Sequence, residues 1–357
     1  MDHSTDIGRW IAGWQRDAIV VIPSHIPMDP SLLESIDPTV PILIVDDSTS
    51  GLPPIPLGNV YVIGRHEQLA ELRGVRPPGL PIGSSACRNF GHWFAYREGF
   101  QHVLLLDNDC RPPKNWVSTH VALLGGPEVD AVRRRWTNPL RENGFYARGY
   151  PYDERVDPDV DSAEEGVVRG RVVLNLGLWS GILDINGIDK LHAPPPATVT
   201  CPPTGSAFSS GLIPLCGMNV GVRSEAIPAY WFIPNVRVGD WTLSRHDDIW
   251  GGAILARLAS IRGDVIGYGE PVVEHLKQTT MERVLVQEHY MHLLNPYFYD
   301  LVEAAASAIP LGTYIEMMRA FAEEFCAAVE RERALPAHYQ RAFAEIGAAM
   351  RSWIDMF

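Results

Sequence analysis

A chain of 357 residues that is 46% hydrophobic and 20% charged can bury a sizeable core, so general disorder is excluded and one large domain, or one with an appendage, is expected. Its 30 Lys and Arg against 43 Asp and Glu give a formal net charge of -13, which repels polyanions; no nucleic acid and no membrane partner is expected. An anionic small substrate must then be held by local devices: a cation, a few arginines or backbone N–H groups. No apolar run approaches the roughly 20 residues of a spanning helix, and the N-terminal M-D-H-S-T-D-I-G-R-W lacks the basic and apolar parts of a secretory signal. Cys87, Cys110, Cys201, Cys216 and Cys326 are scattered and odd in number, without CxxC spacing. A cytoplasmic protein without a disulfide framework or zinc site is the expectation.

In chain order, the first strand signal is A-I-V-V-I-P-S at 18–24, then P-I-L-I-V-D-D-S at 41–48 and V-Y-V-I-G at 60–64. A Pro/Gly-rich connection at 76–85 leads into S-S-A-C-R-N-F-G-H-W-F-A-Y-R-E-G-F, a helix capped by Ser84 or Ser85 and stopped near Gly99. Then V-L-L-L-D-N-D-C-R-P-P, 103–113, ends an apolar run on two carboxylates. One reading is a buried strand stopping at a polar turn; the other is a metal site at a strand end. Strands apolar throughout, alternating with helices, predict a parallel sheet covered on both faces, with ligands gathered at its carboxyl edge. Asp46, Asp47, Asp107 and Asp109 all fall at such ends, which favours the metal reading. From about 130 to 277 the pattern predicts short strands and turns. Within it, the proline- and serine-rich 192–211 is a candidate lid or a plain surface excursion. T-Y-I-E at 313–316 has capping-box form, followed by the stripe Tyr314, Met317, Phe321, Phe325 and Ala328; Tyr339, Phe343, Ile346, Met350 and Trp353 repeat it after Pro336. Residues 1–280 are read as the catalytic domain and 281–357 as a helical segment packing on the sheet or on a second copy, a possible homo-oligomer.

Mg²⁺ and Mn²⁺ take one or two carboxylates together with substrate phosphates, which suits Asp107 and Asp109. G-Y-G-E-P-V-V-E-H-L-K at 267–277 offers His275 as a further ligand and Lys277 as a phosphate contact. In S-R-H-D-D-I-W-G-G, 244–252, Asp247 and Asp248 serve a helix start, acid/base chemistry, or both. I-P-L-C-G-M-N-V-G, 213–221, is either a close backbone approach to ligand or a buried turn. F-Y-A-R-G-Y-P-Y-D-E-R, 145–155, sets Arg148 and Arg155 among aromatics, as packed surface or sugar-phosphate binders.

Seven segments in register, S-A-C-R-N-F-G (85–91), L-D-N-D-C (106–110), R-G-Y-P-Y (148–152), G-L-W (177–179), C-G-M-N (216–219), R-H-D-D-I-W-G-G (245–252) and H-L-K (275–277), resemble the reversibly glycosylated polypeptide family, the UDP-arabinopyranose mutases grouped with glycosyltransferase family 75. The resemblance covers most of 17–277. It implies an α/β GT-A-type nucleotide-diphospho-sugar fold, Rossmann-like with a mostly parallel sheet, and Mn²⁺ (or Mg²⁺) at the D-x-D site of Asp107 and Asp109, to which the segment 267–277 adds His275. It further implies a nucleotide-diphospho-sugar substrate, and reversible glycosylation of the arginine matching Arg148. Arg88, Arg155, Trp179, Cys216, Gly217, Asn219, Arg245 and Lys277 are assigned to substrate binding, Asp46 or Asp47 to the nucleoside, and Arg148, Asp247 and Asp248 to catalysis. The chain departs from the family's D-D-D-C at Asn108, and again in S-G-I-L-D-I-N-G-I-D-K (180–190) and L-K-Q-T-T (276–280). A UDP-linked L-arabinose and a GDP-linked L-hexose are equally compatible. The expected activity is pyranose–furanose interconversion; transfer to an external acceptor is the alternative, and a non-catalytic glycosylated scaffold a third reading.

Overall fold

The computed structural model describes residues 6–156, 163–196, 199, 205–277 and 279–357. A short helix α1 (Asp6–Ala12) precedes the strands β1 (Ala18–Ser24), β2 (Ile42–Asp46) and β3 (Val60–Ile63). These pair in parallel, with Ser24 opposite Asp46 and Val45 opposite Ile63. β1 and β2 bury almost every side chain, which is why they are apolar on both faces. Helix α2 (Arg65–Glu71) follows, then a 3-10 turn, Ser85–Arg88, that runs into α3 (Asn89–Arg97). Ser84 opens that turn, but its hydroxyl makes no capping bond, and Ser85 is used elsewhere. The helix closes at Gly99, whose φ of 77° is the left-handed end glycine accepts.

β4 (His102–Leu106) lies parallel on the other side of β1. Beyond it come β5 (Cys110–Arg111), α4 (Trp116–Gly125), β6 (Val129–Trp136), β7 (Glu164–Gly170), β8 (Val172–Gly181), α5 (Gly187–His192), β9 (Ala207–Leu212), β10 (Asn219–Arg223), the hairpin β11–β12 (Val236–Val238 and Trp241–Leu243), α6 (Asp247–Arg262) and β13 (Val265–His275). The sheet runs β3-β2-β1-β4-β10-β8-β13-β9-β6-β7, with β5 paired to β13. Following the pairings outward from β1, strands β10, β9, β6 and the short β5 run against the rest, so the sheet is mixed and mostly parallel. The expectation of short strands between 130 and 277 is corrected: β6, β8 and β13 have 8, 10 and 11 residues. Glycines and Pro271 disguise them. At Gly177 an added Cβ would lie 2.4 Å from the Pro271 carbonyl oxygen, so the small residue serves strand packing. In 192–211, β9 takes the end and Val199 pairs with Gly181; the rest of the lid reading falls largely on residues 197, 198 and 200–204, outside the described residues.

The chain ends in helices α7 (Met281–Ala306), α8 (Tyr314–Arg331) and α9 (Ala337–Ile354). The capping box at α8 is closed: Glu316 N–H donates to Thr313 Oγ1 at 3.3 Å, and Thr313 N–H to Glu316 Oε2 at 2.8 Å. Both apolar stripes face inward, Tyr339 alone being half-buried. Trp250 of α6 stacks on Phe298 of α7 with centroids 4.0 Å apart, and Trp353 of α9 donates to the Pro228 carbonyl at 2.9 Å. Sheet and helices thus share one apolar core. Among the described residues no helix is long and apolar enough to cross a membrane.

Candidate functional site

The turn after β4 is laced to distant segments by its backbone. Asp107 N–H donates to the Met218 carbonyl at 3.0 Å, and Leu276 N–H to the Asp109 carbonyl at 3.0 Å; Cys110 pairs with His275 across β5 and β13. That lacing sets His275 Nε2 4.0 Å from Asp109 Oδ2. His275 Nδ1 lies 2.7 Å from the Ile182 carbonyl oxygen. A carbonyl only accepts, so Nδ1 carries a hydrogen, and in the neutral ring the lone pair is then on Nε2, the Asp109 side. Asn108 turns the other way and donates to Ser24 Oγ at 2.7 Å. Burial, reinforced by Asp107, pushes Asp109 above the usual carboxylate range. Arg88 donates to Asp107 Oδ1 at 2.9 Å and to the Gly217 carbonyl at 2.8 Å, its guanidinium over the Phe232 ring. Burial opposes its charge, but Asp107 and Asp247 outweigh it and hold the group above its ordinary value.

A second cluster surrounds Arg148. Its Nε donates to Asp184 Oδ2 at 2.7 Å, Nη2 to Asp248 Oδ2 at 2.6 Å, and Nη1 to the Arg245 carbonyl at 2.8 Å. Burial works against the charge of Arg148, yet Asp184 and Asp248 keep it firmly protonated. Asp184 is likewise held well below the usual range: burial would raise it, but Arg148 and Arg245 prevail. Asp248 Oδ2 also accepts from Gly217 N–H at 3.1 Å, and Asp247 accepts from the Ser85 hydroxyl. Both acids start α6, so the helix-start reading holds. Burial and then Asp248 push Asp247 up to about 6. Arg245, at a left-handed φ of 58°, donates to Glu288 Oε1 at 2.9 Å and to Asp184 Oδ1 at 3.4 Å.

The two clusters face one cavity of about 120 Å³. Of the residues expected from sequence it brings together Asp107, Asp109, His275, Lys277, Arg148, Cys216 and Arg245, and it adds Asp184 and Lys190. Arg88, Asp247 and Asp248 stand behind this wall rather than on it. Asp46 and Asp47 hold loops: Asp46 accepts from Ser48 and Leu52 N–H, and Asp47 from Gly83 N–H and Arg65. Arg155 forms a two-pronged pair with Asp189 and stacks on Tyr152, away from the cavity. Trp179 is buried in β8. Asn219 spends its side chain inside the protein, accepting from Trp116 at 2.7 Å and donating to Leu178 and Pro271 carbonyls. At Gly217 an added Cβ would meet the Phe232 ring at 2.6 Å, so this glycine serves packing, while Cys216 and Met218 on either side of it line the cavity. Among the described residues no three His, Cys, Asp or Glu side chains converge into a ready-made metal cluster. A larger hollow of about 640 Å³ lies between β6 and α6–α7, ringed by paired opposite charges such as Arg135–Glu154 at 2.6 Å, and it contains none of the strand-end carboxylates.

Sequence reasoning misses Asp184 and Lys190 because they sit in 180–190, where the chain departs from the family pattern. Asp184 carries a legible signal, an acid just past a long apolar strand. Glu288 offers only a carboxylate on the inward stripe of α7.

Fold and site define an α/β protein with a charged cavity, lined by carboxylates and cations together, at the carboxyl edge of its sheet. A family model described as "Reversibly glycosylated polypeptide" matches residues 34–357, and the chain belongs to that family. It is 24% identical over 316 residues to UDP-arabinopyranose mutase 1 of Arabidopsis thaliana, covering 75% of this chain and 84% of that one. To probable UDP-arabinopyranose mutase 1 of Pisum sativum it is 24% identical over 302 residues, covering 79% and 77%. Among solved structures, a crystal structure of S. aureus TarS 1-349 aligns with a TM-score of 0.36 at 11% identity, covering 94% of this chain and 90% of that one.

Proposed function

We propose that this protein is a nucleotide-sugar mutase that interconverts the pyranose and furanose forms of a sugar carried on UDP or GDP, within a GT-A-type fold. The observation that carries the reading is the strand-end cavity, where two carboxylates and His275 share the lining with the buried Arg148, with Arg245 and with two lysines. Family membership and the names of the plant relatives support it.

Asp107, Asp109 and His275 would hold Mn²⁺ or Mg²⁺. Two oxygens and one nitrogen suit such an ion, Nε2 of neutral His275 is a ligand atom, and Asp109, raised by burial and then by Asp107, would be eased by a cation beside it. When bound, the ion would offset charge on the departing diphosphate. Arg88 fixes the orientation of Asp107, and Lys277 meets the phosphate oxygens. Asp184, kept ionised, faces the positive charge that develops at C1 as the C1–O bond breaks. Arg148 anchors that wall and offers its remaining N–H edge to the sugar. Asp247 and Asp248 orient Ser85 and Arg148 from behind. Asp46 and Asp47, at the same edge of the sheet two strands away, stand on the nucleoside side.

Incubation with Mn²⁺ and a panel of UDP- and GDP-sugars, without acceptor, should give ring-isomerised nucleotide sugar by anion-exchange chromatography and NMR. Slow hydrolysis alone would assign the site to a glycosyltransferase. Turnover untouched by a chelator would remove the ion from the scheme.

A further inference from the structure

We infer that Lys190 is the residue that positions the sugar ring, gripping a ring hydroxyl jointly with Asp184, while the diphosphate is held elsewhere. The inference rests on the mutase reading and concerns which part of the substrate each cation serves.

The cations of the cavity are not equivalent. Arg148 is committed to Asp184, Asp248 and the Arg245 carbonyl, and Arg245 to Glu288 and Asp184. Lys190, half-buried on α5, makes no side-chain hydrogen bond or ion pair among the described residues, although it lines the cavity. A partly desolvated ammonium without a hydrogen-bond acceptor is costly, and a ligand oxygen would relieve it. Burial accordingly lowers its proton affinity, with Asp184 opposing.

Its place on the wall selects the ligand part. Lys190 stands on α5, whose Asn186 holds the Arg148 loop, whereas Lys277 follows His275, the residue that ends β13 and approaches Asp109. The two lysines therefore belong to different clusters around the one cavity. With the diphosphate at Asp107, Asp109 and Lys277, the sugar projects toward Asp184 and Lys190. Asp184 Oδ1 has only the long 3.4 Å contact from Arg245, so it is open to accept from a hydroxyl. Lys190 supplies the complementary donor, and a donor–acceptor pair of this kind recognises one hydroxyl in one orientation. Lys190 also lines an adjoining hollow of about 110 Å³ with Ile182, Leu183, Pro194, Pro195, Pro196 and Met281. That apolar shelf lies where carbon atoms of the sugar would rest beside the gripped hydroxyl. The frame is anchored: Asn186, four residues before Lys190, accepts from Gly149 N–H at 2.8 Å, tying α5 to the Arg148 loop.

The test compares two ligands in calorimetric titrations with Mn²⁺: free UDP or GDP, and UDP-L-arabinopyranose or a GDP-L-hexose, whichever pair the wild type binds. Lys190→Met keeps the stem and removes the charge; Lys190→Arg keeps the charge and changes the reach. Met should weaken the nucleotide sugar about tenfold or more, the loss of a charged hydrogen bond, and leave the free nucleotide within about twofold; Arg should fall between. Equal weakening of both ligands would place Lys190 on the diphosphate and overturn the inference, and so would no change in either. A wild type that binds neither nucleotide would sink the mutase reading itself, a result distinct from both. Thermal melting of each variant confirms folding, and if Met does not fold the Arg ratio alone decides.

Discussion

At the scale of single residues, the site is governed by charges held against solvation. Asp247 is raised to about 6 by burial and by Asp248, against an ordinary value of 3.8. Between those two values the folded state binds more protons than the unfolded one, so this group favours folding below about pH 4 and its contribution is lost as pH rises through about 6. Asp247→Asn keeps an oxygen acceptor for Ser85 and removes the buried charge. It should therefore raise stability at pH 7 by on the order of 3 kcal/mol relative to wild type and leave pH 4 nearly unchanged, measured by urea unfolding at both values. A variant less stable at pH 7 would show that the ionised form is required. Arg148 carries the opposite expectation. Lysine cannot bridge Asp184, Asp248 and the Arg245 carbonyl at once, so Arg148→Lys leaves a buried carboxylate short of a partner. Turnover should fall about a hundredfold or more, as misplacement of a positioned group does. Full turnover in this variant would remove Arg148 from the chemistry, and a sugar carried covalently on it would appear as a mass gain in wild type alone.

At the scale of elements, close approach of helix and sheet sets the platform. In α3, an alanine in place of Gly91 would bring its Cβ 2.4 Å from Val21 Cγ1 and 3.1 Å from Val45 Cγ2. Replacing glycine in a helix gains about 1 kcal/mol of propensity, but overpacking a closed core costs about 1–3. The contact wins, so Gly91→Ala should destabilise by about 1–2 kcal/mol in chemical denaturation. Gly125→Ala in α4, with nothing within 4 Å, should not destabilise. The same physics decides what the sequence discloses. β1, β2 and β4 are legible because strands buried on both faces must be apolar, and their ends because acids follow abruptly. α8 is legible from its capping box. β8 and β13 are not, because Gly177, Gly269 and Pro271 answer to neighbours across the sheet and locally read as turns. Within the site, Asp107, Asp109 and His275 stand out by type and position. Lys190 and Glu288 do not, since an ordinary lysine or glutamate acquires meaning only from partners far along the chain, as when Gly187 N–H donates to Glu288 Oε2 at 2.7 Å.

At the scale of the whole molecule, the C-terminal helices complete the site as well as the core. Sequence pattern separates sheet and helices near residue 280, yet Trp250 stacks on Phe298, Trp250 Nε1 donates to Asn295 Oδ1 at 2.8 Å, and Trp353 donates to the Pro228 carbonyl. From α7, Glu288 reaches the cavity wall, accepting from Arg245 and from the first N–H of α5. Two experiments separate these contributions. A chain ending at Thr280 exposes the faces of α6 and the 224–229 turn that the helices cover, and each large aromatic stripped of its partners forfeits about 3 kcal/mol or more. It should lack a cooperative unfolding transition; a sharp transition would show that the sheet folds unaided. Glu288→Gln keeps the shape of the side chain and removes the charge that Arg245 and His292 face. It should lower the melting temperature at pH 7 without abolishing the cooperative transition, and lower kcat/KM by about tenfold, because Arg245 and Asp184 lose the counter-charge that sets their orientation. Unchanged kcat/KM after that substitution would confine α7 to packing, and the cavity wall would then be the work of the sheet alone.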